Sequence, residues 1–227
     1  MTFVFDPPAQ PLVATVHGAQ FPVHRIYCVG RNYAAHAREM GFDPDREEPF
    51  FFMKPADAVV PDGGTVPYPP MTSDFQHEVE LVVAIGKGGR DIAEATAMSH
   101  IFGYAVGLDM TRRDLQIQAR SKGRPWDLGK GFDASAPCGK ISTASEVRDL
   151  KKASISLLVN GETRQASDLA HMIWSVPEII GYLSRFVTLA PGDLIYTGTP
   201  EGVGQVTRGD RLEARIEGLE VLSVRID

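Results

Sequence analysis

The 227-residue chain has little that would let it bind nucleic acid, cross a bilayer or staple itself together. Its two cysteines, Cys28 and Cys138, form no ligand pattern and no disulfide framework, and read as small buried apolar residues. There is no basic run, and the formal net charge of −6 argues against a nucleic-acid partner. No apolar stretch approaches the length of a membrane span. The start, MTFVFDPPAQ, lacks a charged segment followed by an apolar one, so no secretory leader is expected. No internal repeat and no low-complexity linker is visible. Together these absences lead us to expect a soluble, cytoplasmic protein.

What is present is enough apolar residue, 43%, for a substantial core in one large domain or a domain with a small appendage. Residues 1–24 are proline-rich and read as an extended arm with one strand in LVATVHG. Residues 25–227 read as the main domain. RIYCVG is a strand. YAAHAREM is a short helix with Asn32 as its N-cap and Gly41 as its stop. Residues 41–76 hold seven prolines, and FFFMKPADAVV is a strand ending at Lys-Pro. Strands are expected at 78–85 and 102–109, with a helix opening at Asp91 between them. RRDLQIQARSKG is a second helix, capped by Thr111 and ended by Gly123. Residues 154–160 form a strand followed by an NGE turn. SDLAHMIWSVPEIIGYLSRF is helical in two pieces, with Pro177 in the first turn of the second. RLEARIEGLEVLSVRI alternates as an antiparallel hairpin. Strands dominate without βαβ alternation, so the expected class is α+β, built on a β-roll or barrel.

HEVELVVAIG poses the main chemical question. Residues two apart share a strand face, so Glu78 and Glu80 project together while Val79, Leu81 and Val83 point the other way. Adjacent buried carboxylates need a shared proton or a cation; the plainer alternative is a solvated face. Asp109, ending the strand in YAVGLDMTRRD, would complete an oxygen-only site for Mg²⁺ or Mn²⁺, or else cap the following helix. No histidine or cysteine cluster offers a zinc site. His77 is expected to face away and to be structural.

His36 and Glu39 are three apart on one helix face, either a general-base dyad or a surface pair. Lys130 lies in the glycine-flanked loop RPWDLGKGFD, where it could meet an anion or simply be solvated. The Gly- and Thr-rich YTGTPEGVG turn could cradle a carboxylate on its backbone N–H groups. It lacks the Gly-Lys-Ser/Thr of a phosphate loop.

VGRNYAAHAREMG, PFFFMKPADAVV, HEVELVVAIG, GLDMTRRDLQ, GRPWDLGKGFD and TGTPEGVG together resemble the fumarylacetoacetate hydrolase family from about residue 25 to the C-terminus. The resemblance implies a mixed β-sandwich roll and a homodimer. It implies a Mg²⁺ (or Mn²⁺) site at Glu78, Glu80 and Asp109, and a lid helix whose His36 and Glu39 activate water. Lys130 matches the family's loop lysine, Gln116 its helix glutamine and Thr199 its Thr-Gly-Thr turn. Lys54 and Arg113 fall at active-site positions. The implied activity is hydrolysis of a C–C bond in an acylpyruvate, with fumarylpyruvate of gentisate breakdown the expected substrate. Arg124, in KGRPW, is a candidate partner for the far carboxylate of a fumaryl group; a solvent-facing role is the alternative. Two other readings stay open: oxaloacetate decarboxylation or tautomerisation on the same site, and a keto-acid-binding protein without turnover.

Overall fold

The structure is a computed structural model that describes residues 2–39 and 47–227. The placement of a helix stop at Gly41 falls outside the described residues. The strand Val79–Ile85 is buried at every position, which its nearly unbroken apolar run requires. It pairs antiparallel with Ile101–Leu108 on one side and Leu194–Tyr196 on the other. Leu194–Tyr196 in turn runs parallel to Ile26–Gly30, whose outer neighbour is the edge strand Phe50–Lys54. On the far side of Ile101–Leu108 lie Ala136–Cys138 and Val59–Pro61, and Ser142–Thr143 completes this eight-stranded mixed sheet. The sheet curls into a half-barrel.

A second, five-stranded sheet holds Ser154–Val159, Glu162–Asp168, Arg211–Ile216, Leu222–Ile226 and Thr65–Val66. The alternation in the central strand divides the core. Val79, Leu81, Val83 and Ile85 join the large cluster that contains Ile155, Leu157 and Leu212 of the second sheet. Val82 and Ala84 face a smaller cluster with Ile26, Cys28 and Leu194. Glu80 shares the face of Val82 and Ala84. Among the described residues there are five α-helices: α1 Ala34–Glu39, α2 Glu94–Ala97, α3 Arg113–Ser121, α4 Asp127–Lys130 and α5 Val176–Phe186. None is long and apolar enough to cross a membrane. The expected α+β roll is what forms.

Several local expectations change. The N-terminal arm carries two strands, Leu12–Ala14 and Gln20–Pro22, and buries Val13, Phe21 and Val23. α2 opens at Glu94 and not at Asp91, because Asp91 has a φ of +49°, outside helical backbone. Thr111 does not cap α3: its hydroxyl donates to the Asp109 carbonyl at 3.1 Å and to Glu78 Oε1 at 3.3 Å. Asn32 does not cap α1. Its amide donates to the carbonyls of Trp174 (2.9 Å) and Thr197 (2.8 Å), and its Oδ1 accepts from the Trp174 N–H (2.7 Å). Both side-chain groups are thereby committed to holding the 172–175 and 197–199 segments against the foot of α1. Gly123, with φ +60°, does end α3, and the hairpins at 154–168 and 211–226 form as the alternation requires.

Because Asn32 is fully buried, its loss leaves three backbone groups without partners. Asn32→Ala is expected to destabilise the fold by about 2–4 kcal/mol in urea denaturation. A change within experimental error would show that these segments are held by other contacts.

Candidate active site

The end of the central strand brings three carboxylates together. Glu78 is the single residue between the strands Phe75–His77 and Val79–Ile85, and Asp109 directly follows Ile101–Leu108. The Asp109 N–H donates to the Glu78 carbonyl at 2.9 Å, so the two strand ends are clamped in register. Glu78, Glu80 and Asp109 are 4%, 1% and 1% exposed, and one oxygen of each lies within 4.8 Å of the others. Such a burial is tolerable only with compensating charge.

That charge is unevenly shared. Glu78 is bridged by Lys130 Nζ (2.8 Å) and by the Arg113 guanidinium. Asp109 is held by Lys130 Nζ (2.6 Å) and faces Lys54 Nζ at 2.8 Å. The Lys54 contact is a charge contact without hydrogen-bond alignment, so Asp109 Oδ1 is left with no hydrogen-bond partner. Glu80 has only the Gly198 N–H, at 2.8 Å. Burial favours the neutral form of Glu78, but Lys130, Arg113 and His36 together hold its carboxyl well below the usual range. Burial, then Asp109 and Glu78, push Glu80 well above it. Burial opposes the charge of Lys130 too, yet Asp109 and Glu78 keep its ammonium above the usual lysine range.

Glu80 therefore defines what is missing from the set. An orphaned buried oxygen on Asp109, an under-compensated Glu80 and an all-carboxylate donor set fit a hard divalent cation. Gly198 is required on two counts. Its φ is +99°, and a Cβ there would lie 2.7 Å from the Asn32 Cβ.

Around the carboxylates runs a cleft of about 430 Å³ that His36, Gln116, Lys130 and Thr199 help to line. His36 is 6% exposed, and its Nδ1 lies 3.1 Å from Glu39 Oε2. Glu39 also accepts from the Gly202 N–H at 3.1 Å. The His36 hydrogen bond, aided by Gly202, depresses the Glu39 carboxyl against the effect of its partial burial. Thus the N–H groups of the 198–202 turn are engaged by the protein's own Glu80 and Glu39. Gln116 packs over Gly129, where a Cβ would come within 2.8 Å of the Gln116 backbone N.

Two of the residues expected to contact substrate sit elsewhere. Lys54 is buried behind the carboxylates and donates to the carbonyls of Met110 (3.0 Å) and Lys130. It props Asp109 and the Lys130 loop and does not line the cleft. Arg124 is exposed past the end of α3 and does not line the cleft either, because the chain turns outward at Gly123. Arg113 does line the cleft, but its guanidinium binds Glu78, Gln76 (2.8 Å) and Gln116 (3.4 Å).

Sequence reasoning missed Gln165. Its Oε1 accepts from the Val79 N–H (3.1 Å) and lies 3.0 Å from His77 Nδ1. Its amide donates to Thr199 Oγ1 and the Pro200 carbonyl, both at 2.9 Å. One side chain thus ties the carboxylate strand to the Thr199 turn, and burial keeps His77 below the usual imidazole range. Nothing in ETRQASD marks this residue apart from its neighbours.

Residues 25–227 match the fumarylacetoacetate (FAA) hydrolase C-terminal family, and the chain belongs to that family. It is 49% identical over 184 residues to fumarylpyruvate hydrolase of a Ralstonia species, covering 81% of this chain and 95% of that protein. It is 45% identical over 202 residues to the human mitochondrial oxaloacetate tautomerase FAHD1, covering 89% and 91%. The crystal structure of fumarylpyruvate hydrolase from Pseudomonas aeruginosa in complex with Mn²⁺ and pyruvate superimposes with a TM-score of 0.97. That chain is 57% identical, and 99% of each chain is covered.

A cation in this site requires Glu80 as carboxylate, whereas burial holds it protonated in the ion-free protein. Binding of Mn²⁺ to ion-free protein near neutral pH is therefore expected to release a proton, and apparent affinity to fall as pH falls. Calorimetry in buffers of different ionisation enthalpy reads this directly. Binding heat independent of buffer would contradict it.

Proposed function

We propose that the protein hydrolyses the C3–C4 bond of an acylpyruvate, converting 3-fumarylpyruvate to fumarate and pyruvate in gentisate-type aromatic breakdown. The observation that carries this reading is the buried His36, oriented by Glu39, in the same cleft as three carboxylates and Lys130. The 49% identical fumarylpyruvate hydrolase and the 57% identical structure with Mn²⁺ and pyruvate support it. Glu78, Glu80 and Asp109 would hold Mg²⁺ or Mn²⁺, and the ion would supply Lewis-acid polarisation of the 2-keto acid end of the substrate.

The protein's own groups do the rest. Glu39, kept ionised, accepts the His36 Nδ1 proton and leaves Nε2 as the basic nitrogen. His36 Nε2 takes a proton from water, and the hydroxide attacks the C4 carbonyl. The C3–C4 bond breaks, its electron pair goes to the pyruvate fragment as enolate, and the acyl fragment leaves as carboxylic acid. Lys130, held as ammonium, places positive charge beside the enolate oxygen. Gln116 and Thr199 orient the substrate from facing walls. A return of the proton to C3 completes pyruvate. α1 serves as the lid that carries this base, and the active form is a cytoplasmic homodimer.

A second reading keeps the site and changes the reaction: tautomerisation or decarboxylation of oxaloacetate. The 45% identical human oxaloacetate tautomerase favours it. It needs no attacking water, so it assigns no hydrolytic task to His36.

Product analysis separates the two. Purified protein with Mg²⁺ or Mn²⁺ is expected to consume fumarylpyruvate and release equimolar fumarate and pyruvate, with loss of turnover on chelation. His36→Ala should lower kcat by about 10²–10⁴-fold while Mn²⁺ affinity stays unchanged. Turnover of oxaloacetate alone, or undiminished hydrolysis by the His36 variant, would overturn the reading.

A further inference from the structure

The cleft extends beyond the carboxylates, and its outer part has a composition of its own. Arg113, Gln116 and Arg120 follow one another at helical spacing on α3, and all three line the cleft. Arg113 is bonded to Glu78, which marks its end of α3 as the inner end. A helix rises about 1.5 Å per residue, so Arg120 stands about 6 Å beyond Gln116 along the axis. Its Nη1 atom is buried although the residue as a whole is half-buried.

Arg31 also lines the cleft, from the end of the strand Ile26–Gly30. Its φ is +56°, a conformation that costs free energy for any residue with a side chain. Its guanidinium carbon lies 4.9 Å from the centre of the Phe50 ring, and Nη1 lies 3.7 Å from Glu47. The side chain is therefore oriented before any ligand arrives. Phe52 and Trp126, with ring centres 5.8 Å apart, add flat apolar surface to the same cleft.

We propose that Arg31 and Arg120 form a carboxylate subsite that selects acylpyruvates whose acyl group ends in a second carboxylate. The subsite rests on the acylpyruvate reading of the inner site. A trans four-carbon unit spans about 3.8 Å, as a trans peptide does between its Cα atoms. A terminal carboxylate on such a unit lies beyond the scissile carbonyl, within an arginine side chain's reach from the outer turn of α3. Guanidinium forks match carboxylate geometry, and the apolar walls suit a flat unsaturated chain. Charge favours the same ligand. Four cations, Arg31, Arg113, Arg120 and Lys130, line the cleft with only three carboxylates, and a divalent ion adds more positive charge. A dianionic substrate balances this better than a monoanionic one. The cation sought for a fumaryl carboxylate is thus Arg120, four residues before the exposed Arg124, with Arg31 opposite in chemistry to nothing else the reaction uses.

The test compares fumarylpyruvate with acetylpyruvate on Mn²⁺-loaded protein. KM and kcat are measured where turnover occurs, and Kd by calorimetry where it does not. The wild type should prefer fumarylpyruvate. Arg120→Met and Arg31→Met should each weaken fumarylpyruvate binding by about tenfold or more, as loss of a charged hydrogen bond implies. Acetylpyruvate values should stay within about twofold on the same grounds, and Arg120→Lys should keep part of the preference. The ratio of the two ligands cancels any loss of folded protein. Equal losses on both ligands, a wild type without preference, or a preference abolished by Arg124→Met would overturn the subsite. Retained binding preference without cleavage of either ligand would support the subsite and overturn the hydrolase reading.

Discussion

Three carboxylates buried at the ends of two adjacent strands constrain the rest of this structure. Desolvation makes each of them costly, and their proximity adds repulsion. The fold answers with Lys130 shared between Glu78 and Asp109, Arg113 on Glu78 and Lys54 against Asp109. Glu80 is left with one backbone N–H. A divalent ion is thus needed for a specific reason. It completes the compensation of Glu80 and of the orphaned Asp109 oxygen, rather than neutralising the whole cluster.

The remaining polar residues hold segments around that cluster. Gln165 joins the carboxylate strand to the Thr199 turn, and Asn32 joins that turn to the base of α1. Gly202 in the same stretch binds Glu39, which orients His36. The turn from 197 to 202 therefore couples the cation site to the base that works beside it. A static framework of this kind suits chemistry in which water must be aimed at one carbonyl.

Legibility from the sequence followed the range of the interactions. The two-residue spacing of Glu78 and Glu80, the three-residue spacing of His36 and Glu39, and the strand-ending Asp109 are local patterns, and their geometry could be read directly. The apolar run 81–85 marked the central strand, and the hairpin alternation marked the second sheet. Asn32 looked like a helix cap because its tertiary partners lie some 140 and 165 residues away. Thr111 misled in the same way, since Glu78 is remote in sequence. Lys54 resembled a substrate ligand by position, and only its partners Met110 and Lys130 show that it props the site from behind. Arg124 and Arg120 differ by one helical turn. Which of them meets the cleft depends on where α3 ends, and boundaries are the least readable part of an element.

Glu80→Gln tests the central claim most directly. Glutamine copies the protonated carboxyl that burial favours, and its carbonyl oxygen can still accept the Gly198 N–H. The account predicts a variant that folds as well as the wild type but binds Mn²⁺ at least about 100-fold more weakly, read as free-ion signal in electron paramagnetic resonance titrations. The wild type should bind one ion per chain. One tightly bound ion per chain in Glu80→Gln would contradict the account.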